Sequence, residues 1–235
     1  MTVEEIVEEL RLQGSDSIKS VLIKHGAKEP FFGVKAEYLK KIQKRIKKNH
    51  DLALGLYSTG ISDAMYLAGL IADESKMTRE DLQRWAEQAY WYYLSEHAVA
   101  WVASGSDYGW EMALKWIDSD RENVASSGWA TLSGLVALTE DSALDMTLLQ
   151  SLLERVEQSI HEQPNRARST MNGFVISTGV YVLPLTDFAI GVAERVGKVS
   201  VDVGKTACKV PFAVDYIHKC LERGSGGKKK KTVKC

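Results

Sequence analysis

The sequence predicts an all-α protein, a HEAT-like superhelix of stacked antiparallel helix pairs. Apolar residues recur at helical spacing along most of the chain. Only four prolines interrupt 235 residues, so long stretches are free to run as helix. Strand-like alternation is confined to Lys198–Val203, and a lone strand has no partner, so an extended connector is expected there.

The helices follow from their apolar stripes. Val3, Ile6, Val7 and Leu10 form the first, and Val34, Tyr38, Ile42 and Ile46 the second, with Lys41, Lys44 and Lys48 together on another face. Further stripes run through Leu82–Tyr93, Trp129–Val136, Leu149–Ile160 and Leu185–Val196. Ser119-Asp120-Arg121-Glu122 has the spacing of a capping box, and Thr78-Arg79-Glu80-Asp81 is a weaker version of it. Ser62, Ser95 and Ser106 each precede a short helical pattern, and Pro184 and Pro211 suit a first helical turn. About a dozen helices of roughly 10–18 residues, joined by short turns, make stacked pairs the natural arrangement. The expected organisation is one helical-repeat domain over 1–223 and a flexible basic tail over 224–235.

Charge is unevenly spread. The chain totals 30 Lys/Arg against 31 Asp/Glu. Residues 198–235 nevertheless hold ten basic and three acidic residues, and residues 35–48 hold seven basic residues against Glu37 alone. Two basic islands on an acidic body point to a polyanionic partner, and a solvated lysine face is the plain alternative. Three cysteines clustered late do not form a disulfide framework; Cys208 reads as a buried structural thiol, and a reducing, cytoplasmic setting is expected. The start MTVEEIVEEL is acidic and lacks the basic, apolar pattern of a signal peptide. No apolar run reaches the ~18 residues of a membrane span, so no membrane association is expected.

No phosphate-binding loop, dinucleotide fingerprint, metal-ligand spacing or nucleophile elbow is present, and no cofactor or metal is expected. Ten tryptophans and tyrosines fall from Trp85 to Trp129, among them Trp91, Trp101 and Trp129. Such rings either fill a core or stack on bases. Asn165-Arg166-Ala167-Arg168 opens a helix continuing through Asn172. Backbone N–H groups at that start, with two arginines, make a phosphate-sized site, and a capped helix with solvated arginines is the alternative. Lys205–Lys209, running into Pro211, offers a second such site.

Phe31-Phe32-Gly33-Val34 followed by Leu39-Lys40-Lys41-Ile42 resembles the early Y-F-G-V … L-R-K-I segment of the AlkD-like DNA alkylation repair proteins. The tryptophan-rich segment 85–101 and Lys115-Trp116-Ile117 follow in the family's order, so the resemblance spans most of the chain. It implies a HEAT-like solenoid that grips double-stranded DNA in a basic concave cleft. It also implies a DNA glycosylase releasing cationic alkylated purines, in which a carboxylate stabilises positive charge at the sugar. Where the family carries Trp–Asp–x–x–Asp, this chain reads Trp91-Tyr-Tyr-Leu-Ser-Glu96-His97, which makes Glu96 the candidate catalytic carboxylate. Where the family has an aromatic–Arg motif, residues 123–129 contain no arginine, and Arg166 and Arg168 are the candidates to replace it. Trp91, Trp101 and Trp129 are then the base-contacting candidates. Lys41, Lys44, Lys48, Arg166, Arg168, Asn172, Lys205 and Lys209 are the phosphate-binding ones. A non-catalytic nucleic-acid-binding or protein-binding HEAT scaffold stands as the alternative.

Overall fold

A computed structural model describes residues 1–234. Thirteen α-helices occur among them: α1 (Val3–Leu12), α2 (Asp16–Lys24), α3 (Ala36–Ile46), α4 (His50–Ser58), α5 (Ser62–Ile71), α6 (Arg79–Gln88), α7 (Ala100–Ser104), α8 (Gly109–Trp116), α9 (Glu122–Leu138), α10 (Met146–Ser159), α11 (Asn165–Tyr181), α12 (Thr186–Val196) and α13 (Ala213–Glu222). Short 3₁₀ turns link several of them, and a π-helical turn, Leu94–Val99, runs directly into α7. No strand occurs among the described residues, and Lys198–Val203 is extended, as its isolation predicts. No single helix among them is long and apolar enough to cross a membrane.

An inner row consists of α5, the π turn with α7, α9 and α11, each packed on the next. The outer helices α4, α6, α8, α10 and α12 cover it. The inner helices are buried nearly all round, as every residue of α5 shows. The outer ones are amphipathic: α6 buries only Leu82, Trp85 and Ala86. Small residues let the inner helices approach closely. A Cβ on Gly69 of α5 would lie 2.7 Å from the Cα of Ala98 on the π turn, so any side chain there would push the two apart. The apolar side chains form two clusters, one running from α1 to the start of α9 and one from the end of α8 to α13.

The capping signals resolve differently from expectation. Thr78 and Asp81 form the full reciprocal box at the start of α6, as do Thr2 and Glu5 at α1. Ser119 and Glu122 do not: α9 begins after Arg121 with no side-chain cap, and Glu122 is drawn away to another helix. Ser95 lies buried inside the π turn and Ser106 in a turn, so neither caps a helix. Pro211 precedes α13 by two residues and is outside it.

Residues 224–234, expected to be flexible, lie along the C-terminal ends of three inner helices. The Gly227 N–H donates to Val180 of α11, and the Lys230 N–H to Ala137 of α9. The Lys229 ammonium donates to Val136 and pairs with Asp141 at 2.8 Å. That of Lys234 reaches the carbonyls of Leu70 and Ala72 at the end of α5 and pairs with Glu74 at 2.7 Å. The reason is electrostatic: helix C-termini present unpaired carbonyls and the negative end of the helix dipole, and lysines satisfy both. The side chains of Lys229 and Lys234 are only 8% and 10% exposed.

Candidate functional site

The Phe31–Val34 loop is fixed by Asp63 near the start of α5. Its carboxylate accepts the N–H groups of Phe32 at 2.6 Å and Val34 at 2.8 Å. Burial pushes the Asp63 carboxyl up, and those backbone N–H groups pull it back. Gly33 sits at φ +78°, and a Cβ there would meet the backbone of Ser15 and Lys19. Only glycine fits this turn, which explains the glycine of the motif.

His25, Gly26 and Lys28, which follow the end of α2, form one wall of a cleft of about 540 Å³. Tyr90, Trp91 and Tyr92, between α6 and the π turn, form a second wall. The start of α11 lies opposite, and the segment 202–211 closes the far side. The indole N–H of Trp91 donates to the Ser62 hydroxyl at 2.8 Å, and the ring is 6% exposed. Tyr92 is half-buried and presents its ring to the guanidinium of Arg166 at 4.2 Å, a cation–π contact.

Arg166 and Glu96 define the chemistry of the floor. The Arg166 Nε donates to Glu96 Oε1 at 2.7 Å, and an Nη donates to Glu96 Oε2 at 2.6 Å. This is a bidentate fork between side chains that are 21% and 11% exposed. Burial pushes the Glu96 carboxyl above the usual range, and the guanidinium pulls against it. Burial likewise opposes the charge of Arg166, and Glu96 more than offsets it. The fork geometry belongs to an ionised pair. Next to it, His97 stacks on Trp101 and meets Tyr93 edge-on. Burial pushes His97 down to about 4, so the ring is neutral at ordinary pH.

The expected residues separate into groups. Arg166, Lys209, Asn172 and Trp91 line the same cleft. Glu96 joins it through Arg166, while its other side, with Trp101, faces a smaller hollow of about 160 Å³ bordered by Lys230 and Val233 of the tail. Trp101 is 6% exposed and packs on Tyr66 and His97, so its ring serves the core. Trp129 is 1% exposed against Phe174 in the second core cluster, and no base can reach it. Asn172 is buried and spends its amide on the Pro211 carbonyl at 3.0 Å, fastening the loop to α11.

The phosphate site expected at the start of α11 is already filled. Glu122 accepts the Arg166 backbone N–H at 2.7 Å, placing a carboxylate of the same chain where an anion would sit. Asn165 exchanges two hydrogen bonds with the backbone of Asp202. Arg168 is half-buried, lines no part of the cleft, and its Nε has no partner. Lys205 lies in a neighbouring shallow groove along α2. Lys41 pairs with Glu37 at 3.4 Å. Lys44 and Lys48 line another groove, together with the tail. Cys208, expected to be buried, is exposed at the cleft. The sequence reading missed Tyr92 as the support of Arg166, Glu122 as the cap of α11, and His25 and Lys28 on the cleft wall that follows α2. A cross-helix partner 44 or 70 residues away leaves no local pattern to find.

Comparison with known proteins agrees with this architecture. A family model described as "DNA alkylation repair enzyme" matches residues 6–186. The uncharacterized protein Lin0241 of Listeria innocua is 35% identical over 230 residues, covering 95% of this chain and 99% of that protein. Lmo0209 of Listeria monocytogenes, also uncharacterized, is 34% identical over the same coverage. A solved structure superposes with a TM-score of 0.91 at 38% identity over the whole of both chains; it is described as "a new family of proteins related to the HEAT-like repeat DNA glycosylases with affinity for branched DNA structures". The helical superhelix is thus the HEAT-like repeat fold, and the chain belongs to the DNA alkylation repair enzyme family.

Proposed function

We propose that this protein binds DNA through the Arg166 cleft without excising bases, and that it prefers branched DNA. The observation that carries the reading is the Glu96–Arg166 fork. Cleavage of a glycosidic bond builds positive charge at the sugar, and a carboxylate helps only if that charge is not already neutralised. Both oxygens of Glu96 are engaged by a guanidinium, and the neutral His97 beside it adds no charge. The fork fills the place of a catalytic group with a structural one. Support for DNA as the partner comes from the family, from the branched-DNA affinity described for the structural relative, and from Lys28, Lys209 and Arg166 around the cleft.

Excision of alkylated purines is the second reading. It is favoured by Glu96 standing in the inner row beside Trp101, and it requires Arg166 to swing away on binding. Base release from a duplex carrying 7-methylguanine separates the two. The expected result is no release by the wild type or by Glu96→Gln. Release by the wild type that Glu96→Gln abolishes would overturn the non-excising reading.

A further inference from the structure

The two basic islands of the sequence are separated by about 150 residues, yet the fold joins them. The end of α3 contributes Lys44, Lys47 and Lys48, and the docked tail contributes Lys231 and Lys234, around one groove of about 540 Å³. No residue lines both this groove and the Arg166 cleft. Glu74 is its anchor. It pairs with Lys48 at 2.7 Å and with Lys234 at 2.7 Å, so one half-buried carboxylate ties both islands together. Lys44, Lys47 and Lys231 are exposed and form no ion pair among the described residues, so their charges are uncompensated.

Lys47 adds an independent sign. It ends α3 at φ 62° and ψ −139°, a backbone conformation that glycine adopts freely and a lysine does not. Holding a lysine in a glycine's conformation at the rim of a basic groove places an ammonium there at the expense of backbone ease.

We propose that this groove is a second DNA-backbone site, separate from the Arg166 cleft, that takes a further duplex arm of a branched DNA. The inference rests on the proposed DNA-binding function and names which surface confers preference for branched over linear DNA. A single phosphodiester backbone fits the chemistry: three free ammonium groups around one groove, beside a half-buried acidic anchor, without aromatic platforms for bases. A linear duplex engaged by the cleft does not need the groove, whereas a junction offers an extra arm to it. Two linked contacts raise overall affinity by effective concentration when the geometry lets both engage.

The test is fluorescence titration of a four-way junction and of a linear duplex with the same arm length. It compares the full-length wild type with Lys44→Gln/Lys47→Gln/Lys231→Gln. Matching thermal unfolding checks the fold of the variant, which is expected to be intact because the three side chains are exposed. The variant is predicted to bind the junction about tenfold more weakly at a fixed, moderate salt concentration. Its junction salt slope falls by about two to three, as loss of three phosphate contacts requires. Its duplex affinity is unchanged. An unchanged junction affinity overturns the second site while leaving the cleft reading in place. Equal losses on junction and duplex also overturn it, because the groove would then belong to one shared surface. A wild type that binds neither DNA rejects the DNA-binding function itself, and the second site with it.

Discussion

Glu96 and Arg166 show how one contact changes what a residue can do. A carboxylate beside tryptophans in a DNA-repair fold suggests catalysis; the same carboxylate under a bidentate guanidinium suggests structure. Arg166→Ala leaves Glu96 buried without its partner, and removing one member of such a pair costs about 3 kcal/mol at neutral pH. Burial has already raised the Glu96 carboxyl, and loss of the guanidinium raises it further. The native variant then holds a proton that its unfolded chain releases. Its deficit therefore shrinks as pH falls, and urea titrations at pH 7 and pH 5 check that direction. His97 works in the opposite sense. Its value of about 4 lies below its ordinary 6.5, so between these the unfolded chain binds a proton the native state refuses. Stability from this source is present above pH 6.5 and is lost as pH falls toward 4, by roughly 2 kcal/mol between pH 7 and 5. His97→Phe is expected to remove that part of the loss; an equal loss in wild type and variant would assign it to other groups. Both residues of the fork are legible as candidates in the sequence, one from a motif position and one from a missing arginine. Their pairing is not, because 70 residues of chain and four α-helices separate them. Trp129 was equally ambiguous: ring chemistry is the same in a core and in a groove, and only the packing on Phe174 decides.

At the scale of elements, spacing was a good guide wherever a signal is answered within its own helix. The stripes of α1, α6 and α10 are the buried faces found, and Thr78–Asp81 closes its own box; α3 instead buries Leu39 with Ile42, leaving Tyr38 and Ile46 half-buried. Spacing misled where a side chain found a better partner elsewhere, as when Glu122 crossed to α11. The π turn Leu94–Val99 carries no sequence mark, yet it sets where Glu96 and His97 point. The C-cap of α3 offers a direct measurement. Lys47→Gly relieves the positive φ and is expected to stabilise the fold by about 1 kcal/mol while weakening junction binding. Destabilisation by this substitution would show that the lysine side chain contributes more to folding than its backbone costs.

The superhelix itself was legible in the whole pattern: many short amphipathic helices, few prolines and no paired strands leave stacked helices as the solution. The docked tail was not. Gly-Ser-Gly-Gly followed by four lysines has the composition of a solvated linker, and what holds it is the row of helix ends it meets. Removing residues 228–235 strips the ends of α5 and α9 of these partners. It is expected to cost about 1–3 kcal/mol and to speed hydrogen exchange at those ends. For the molecule as a whole, the central claim is a phosphate-tracking surface that favours branched DNA and does no chemistry on it. The most direct measurement is the affinity of the wild type for a four-way junction and a matched linear duplex across a range of salt. The account predicts tighter junction binding, with log affinity falling steeply and linearly against log salt as counterions are released. Affinity that stays flat between low and physiological salt, or that is equal for the two DNAs, would contradict it.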